Sequence, residues 1–199
     1  MFKYLISILV NPKSTWDKVA NMPKDAADLG MIYSILLAII PAASFYYGTT
    51  QVGWTVGDGL PTKLTVESAN RMIPLFYLAQ VGAIFGIGWF IHWMSETYGA
   101  DSSLTKGIRI SGLTATPLFL AGIVGITPQL IVDFTVGIIA VTWSTYLLYI
   151  GIPRVMKIPE ERGFLFSSAI IAVCLVAIVV ILGASVILWD MGAAPAFTD

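Results

Sequence analysis

Apolar positions in this chain are gathered into blocks, each about as long as a membrane is thick, and not into short alternating or 3.6-periodic stripes. Five such blocks cover residues 29–47, 72–95, 110–126, 129–150 and 164–189. A hydrocarbon core roughly 30 Å thick needs about 20 apolar residues of helix to cross it, so the pattern predicts five transmembrane helices. Residues 1–28 precede them and 190–199 follow. The third and fourth blocks are parted only by Thr127 and Pro128, with Gly122 and Gly125 just before. A proline removes a helical donor and crowds the preceding turn, so a tight helical hairpin is expected there, not one helix of double length. The fold class is all-α, a polytopic membrane bundle with a short interfacial helix at its N-terminal end.

Composition agrees with that reading. Of the 199 residues 57% are hydrophobic and 12% charged, and mean hydropathy is +0.82, against about 25% charged in an ordinary soluble domain. The net charge of -1 and the lack of any basic run leave no electrostatic footprint for nucleic acid. The sole cysteine, Cys174, sits inside an apolar block, which excludes an internal disulfide and reads as packing. Residues 1–10 are too short in their apolar stretch, and are followed by Asn11-Pro12-Lys13 where small cleavage-site residues would stand, so they read as an uncleaved segment.

Charge sets the expected orientation, because cytoplasmic flanks keep lysine and arginine. With the N-terminus inside, the cytoplasmic end holds Lys3, Lys13, Lys18, Lys24, Lys106, Arg109, Arg154, Lys157 and Arg162, and the other end only Lys63 and Arg71. An odd number of crossings preserves that bias and an even number breaks it. Aromatic residues suit the same placement, with Tyr46, Tyr47 and Trp189 outside and Trp89, Trp93, Trp143, Tyr146 and Tyr149 towards the inside. Asn11 and Pro12 form a helix-start signal. Trp16, Val19 and Ala20 then share a face opposite Lys13, Asp17 and Lys24, which predicts a helix lying in the inner interface. The outer loop 48–71, with Gly53-Trp54-Thr55-Val56-Gly57-Asp58-Gly59, is either an external ligand surface or a folded lid in which Trp54 turns back to the interface.

A charged group within the bilayer is costly and is a candidate site by default. Asp133 lies about 7 Å into the fourth helix at 1.5 Å per residue, and Gln80 lies in the outer half of the second. They either line a polar cavity for a cation or proton, or make interhelical and interfacial hydrogen bonds, with Lys63 or Arg71 as a partner for the aspartate. His92, beside Trp93, falls near the inner surface and reads as an interfacial histidine, and Arg109 as an anchor that snorkels to lipid phosphates. Gly82 and Gly86 form a small-xxx-small face for helix packing, within the chain or against a second copy. The segments Ile73-Pro74-Leu75-Phe76, opening the second helix, and Thr116-Pro117-Leu118-Phe119 echo each other over too few residues to be a repeat. HExxH, a phosphate-cradling glycine loop and GxSxG are all missing, so neither enzyme chemistry nor a metal or cofactor is implied.

The opening with Asn11, Pro12 and Trp16, together with Ala115-Thr116-Pro117-Leu118-Phe119-Leu120-Ala121-Gly122 and Tyr146-Leu147-Leu148-Tyr149-Ile150-Gly151-Ile152-Pro153, resembles the Yip-type (Ypt-interacting protein) membrane family. Gly48-Thr49-Thr50-Gln51-Val52-Gly53-Trp54 and Glu160-Glu161-Arg162-Gly163-Phe164-Leu165-Phe166-Ser167-Ser168 are similar to its small bacterial inner-membrane branch. The resemblance implies early secretory membranes and Rab-type GTPase partners for the eukaryotic members. This chain lacks their long N-terminal region and their Asp-Leu-Tyr-Gly-Pro motif, Asp28-Leu29-Gly30 being different, so GTPase binding is not carried over. The expected role is a scaffold or adaptor binding lipid, other membrane proteins or itself. Its natural docking surface is the loop with Arg154, Lys157, Glu160, Glu161 and Arg162, which otherwise reads as a solvated positive-inside loop; the alternative function is a small ion or solute channel built around Asp133 and Gln80.

Overall fold

The computed structural model describes residues 2–23, 28–55 and 60–198; Lys24 from the charge count and Val56, Gly57, Asp58 and Gly59 from the outer loop lie outside them. The fold is all-α. Its helices are α1 (Phe2–Val10), α2 (Pro12–Ala20), α3 (Asp28–Leu37), α4 (Ile39–Tyr47), α5 (Val66–Met94), α6 (Leu104–Thr114), α7 (Thr116–Ala121), α8 (Leu130–Met156) and α9 (Glu160–Leu188). Among the described residues, five segments are long and apolar enough to cross a membrane: Met31–Val52, Val66–Tyr98, Leu104–Ile126, Leu130–Met156 and Glu160–Gly192.

Several helices run past their apolar blocks, because the blocks mark only hydrocarbon and the polar ends carry their own caps. Thr65 accepts from the Ser68 amide at 3.3 Å and Ser103 from the Lys106 amide at 3.3 Å, each at an N-cap. Pro74 is therefore inside α5 and does not open it. Two crossings are broken instead. Helices α3 and α4 part at Ala38, three residues before Pro41, and α6 and α7 part at Ala115, two before Pro117. At both places the proline cannot donate to the carbonyl four residues back. The broken segments face each other: Tyr33 Oη and Thr116 Oγ1 are 2.8 Å apart in the interior. After a 3₁₀ turn at Gly122–Ile126 the chain reverses through Thr127 and Pro128 into α8. A Cβ at Gly48 would stand 1.8 Å from the Gly125 carbonyl oxygen, so this reversal packs against the end of α4 at backbone contact.

At one end of the bundle the first loop and the tail form a small lid. Strands β1 (Lys63–Leu64) and β2 (Phe197–Thr198) pair antiparallel, Trp54 bridges to Thr62, and the Trp54 ring meets Phe197 edge-on at 5.7 Å. The first loop and the C-terminal tail thus share one side, as an odd number of crossings requires.

The other end holds the buried core: Ile8, Trp16, Tyr33, Ile91, Ile110, Leu113, Leu147, Ile152 and Phe166. Helix α2 does not rest its apolar face on lipid. Trp16 and Thr15 are fully buried and Val19 nearly so, because α2 docks on α8 at Gly151, where a Cβ would come within 2.7 Å of the indole. Arg109 is likewise no lipid anchor; it is 2% exposed, and it donates to the Pro23 carbonyl at 2.8 Å, tying the segment after α2 to α6. A buried guanidinium suits this role, since its donors can meet a main-chain carbonyl that lies outside any helix.

Helix α5 packs on α6 through Gly88 and Gly107; a Cβ on Gly107 would lie 2.1 Å from the Gly88 oxygen. Gly82 and Gly86, expected to form a packing face within the chain or against a second copy, have nothing within 4 Å of a Cβ. Gly88 is two residues beyond Gly86, roughly 200° around the helix, so the glycine that packs is on the opposite face. The Gly82–Gly86 face is left to lipid or a second copy. Gly88→Leu is expected to cost about 1–3 kcal/mol of stability by overpacking, seen as a lowered thermal midpoint in detergent, whereas Gly82→Leu leaves the midpoint unchanged. Equal effects would refute this assignment of faces.

Candidate functional site

The corner between α8 and α9 is built tightly. Lys157 ends α8 in the left-handed region at φ 54°, a conformation that leaves the following amide free to reach back into the last turn. The Ile158 amide donates to the Pro153 carbonyl at 3.1 Å. Pro159 then precedes α9, whose first turn carries Glu160 and Glu161, where the helix dipole favours negative charge.

Beside this corner lies an open cleft of about 810 Å³. Its aromatic wall is Tyr146, Tyr149 and Phe164, with Ile150, Pro153 and Leu165. The Tyr149 and Phe164 rings are 5.2 Å apart, and the Tyr149 hydroxyl lies 2.8 Å from Ser168 Oγ, which fixes the ring across the two helices. Lys13, Arg154, Glu160 and Glu161 line the same cleft. Lys13 is brought there by α2, held to α8 by Trp16 in its Gly151 seat and by Asp17 Oδ1, 3.4 Å from Arg154 Nε. Arg154 also donates to the Ile150 carbonyl at 3.4 Å. This surface ion pair positions more than it stabilises.

Of the five charges expected to form a docking loop, the cleft gathers Arg154, Glu160 and Glu161. Lys157 is exposed at the turn. Arg162 points away, its guanidinium reaching Gly99 beyond the end of α5. Lys13 and the aromatic wall were not foreseen. Tyr146, Tyr149, Ile150 and Pro153 recur at i, i+3, i+4 and i+7, a one-face helical spacing that could have revealed the wall; nothing in the local sequence links Lys13 to it.

The expected membrane site is not assembled. Asp133 lines two cavities near the lid end of α8, of about 450 and 230 Å³, and one of its carboxylate oxygens is buried with no hydrogen-bond partner among the described residues. Gln80 lines neither cavity; its amide donates to Phe76 of its own helix at 3.4 Å. Lys63 and Arg71 make no ion pair with Asp133 among the described residues, and Arg71 pairs with Glu67 instead. His92 stands in the last turn of α5 beside the exposed Trp93, with Nδ1 buried and without a hydrogen-bond partner among the described residues.

Residues 6–181 match the model of the Yip1 domain family. The chain is 37% identical over 158 residues to the inner membrane protein YohC of Escherichia coli strain K12, a match that covers 79% of this chain and 81% of the relative. The same figures hold for YohC of Escherichia coli O6:H1 strain CFT073. No solved structure matches.

Proposed function

The chain belongs to the Yip1 domain family, and on that premise we propose that it is an inner-membrane scaffold that acts by binding, with the α8–α9 cleft as its docking site for a zwitterionic phospholipid headgroup. The observation that carries this reading is the cleft's mixed charge at a helix end. Lys13 and Arg154 suit a phosphate, Glu160 and Glu161 suit an ammonium, and exposed Phe164 and Leu165 lead from them along α9 towards the hydrocarbon. Arginine, lysine and aromatic side chains are the usual anchors at this depth. Inner-membrane residence is the location in the relatives' names. The excess of lysine and arginine around α1, α2 and the α8–α9 corner supports placing that end in the cytoplasm, with the lid and tail on the far side.

A second reading, an ion path past Asp133, is favoured by that residue's unbonded carboxylate oxygen. Such an oxygen within hydrocarbon is costly unless a proton or cation meets it.

In native lipid discs, phosphatidylethanolamine is expected to copurify with the chain. Lys13→Ser with Arg154→Ser lowers its retention by about ten-fold, from the loss of charge-assisted hydrogen bonds, while Lys157→Ser with Arg162→Ser changes nothing. Unchanged lipid in the first pair overturns the cleft assignment, and a stoichiometric second protein in its place makes the cleft a protein-docking surface. For orientation, Trp16→Ala loosens α2, and trypsin is expected to cut at Lys13 and Lys18 in inside-out vesicles only. Cleavage only in right-side-out vesicles reverses the topology. The ion-path reading expects Asp133→Asn to abolish cation or proton flux in reconstituted vesicles, and is dropped if flux is absent or indifferent to the change.

A further inference from the structure

Hydroxyls on the membrane helices of this chain have a regular habit: they bond back to their own helix. Thr49, Thr50, Thr135, Thr142, Ser167 and Ser168 each donate to the carbonyl four residues earlier, at 2.7–2.9 Å. That internal bond is how a hydroxyl in lipid avoids being left unsatisfied. Among the described residues three hydroxyls have neither that bond nor any other. Ser111 and Thr114 on α6 and Ser144 on α8 are buried with no partner among the described residues, Ser111 being 4% and Ser144 7% exposed. All three line one cavity of about 200 Å³.

The cavity is two-sided. Its α6 and α8 walls carry the free hydroxyls, while α5 and α9 supply Ile84, Ile87, Ile170 and Ile171. Among the described residues no charged side chain lines it. Val141 and, on α9, Leu175 and Ile178 form part of its rim and are each more than half exposed to the bilayer, so it opens sideways to lipid. Ser144 sits near the midpoint of the 27-residue α8, which places the hydroxyls deep in the hydrocarbon. The volume is roughly ten times what one water needs, so a single water held by the three hydroxyls would leave most of the space, walled by isoleucines, without polar partners.

We propose that this is a lateral-entry site for an uncharged lipid with a hydroxyl or carbonyl head. The head exchanges hydrogen bonds with Ser111, Thr114 and Ser144, and its hydrocarbon chain lies along the apolar face of α9. A charged head is excluded, because nothing in the cavity compensates it at this depth. The site is separate from the α8–α9 cleft and does not rest on that cleft's assignment.

The probe is a hexadecanol carrying a diazirine near its hydroxyl, compared with hexadecane carrying the same group, photolysed with the full chain in lipid discs and mapped by peptide mass spectrometry. The alcohol is expected to mark α6 and α8 around Ser111 and Ser144, and the hydrocarbon to mark the exposed half of α9. Ser111→Ala with Ser144→Ala lowers the alcohol adducts on α6 and α8 by roughly ten-fold, as for two lost hydrogen bonds, without changing adducts on α9. Each single variant gives a smaller loss, so a folding failure of the double variant leaves the measurement intact. Identical patterns for alcohol and hydrocarbon, no adduct on α6 and α8, or adducts indifferent to all three variants overturn the proposal.

Discussion

Within a bilayer every backbone donor and acceptor has to be satisfied by protein, because hydrocarbon offers no partner. Most of this architecture follows from that constraint. Where a helix is continuous, as in α8 and α9, its flanks can face lipid freely, and from Leu175 to Leu188 the large apolar side chains of α9 are all at least 54% exposed. Where a helix breaks ahead of a proline, as before Pro41 and Pro117 and unlike at the exposed Pro74 inside continuous α5, the break cannot. The breaks at Ala38 and Ala115 are accordingly both buried, with Tyr33 and Thr116 bonded between the two broken crossings. Unbroken helices form the lipid face, and the broken ones are drawn together.

The same constraint accounts for the unequal ends. The end that holds α1 and α2 is packed, with Trp16, Ile8 and Arg109 all inside. The segment after α2 is held by Arg109, whose guanidinium reaches the Pro23 oxygen. At the opposite end most described side chains on the lid-side halves of α8 and α9 are exposed, and the tail closes on the first loop by strand pairing. An exposed strand edge invites further pairing; a two-residue pair beside the N-terminus of α5 keeps that edge short.

How much of this could be read beforehand divides along physical lines. Spans, their number and the hairpin at Thr127 and Pro128 were legible, because the length of an apolar block and the position of a proline act locally. Packing faces were not. Gly82, Gly86 and Gly88 are equally small, and only the placement of Gly107 on α6 decides that Gly88 is the contact. The amphipathic face of α2 was legible as a face, but its target was not, because a tryptophan seated on Gly151 and a tryptophan seated in lipid present the same sequence pattern. Arg109 illustrates the same limit: its charge suggested an interface, whereas the acceptor that draws it inward, Pro23, stands 86 residues away.

The candidate cleft joins both kinds of information. Arg154, Glu160 and Glu161 were legible as a charged corner, because a turn between two spans has to leave the hydrocarbon and can carry charge there. What converts the corner into a cleft is the arrival of α2, which adds Lys13 on one side, and the stagger of Tyr149 against Phe164, which opens an aromatic wall on the other. The docking of α2 itself depends on Gly151 having no side chain, one turn before Arg154 on the same helix. The residue that admits the tryptophan and the residue that pairs with Asp17 are thus three apart on α8, a spacing that puts them on one face. Fold and site therefore share one contact: the packing that buries Trp16 also delivers the second cation to the cleft.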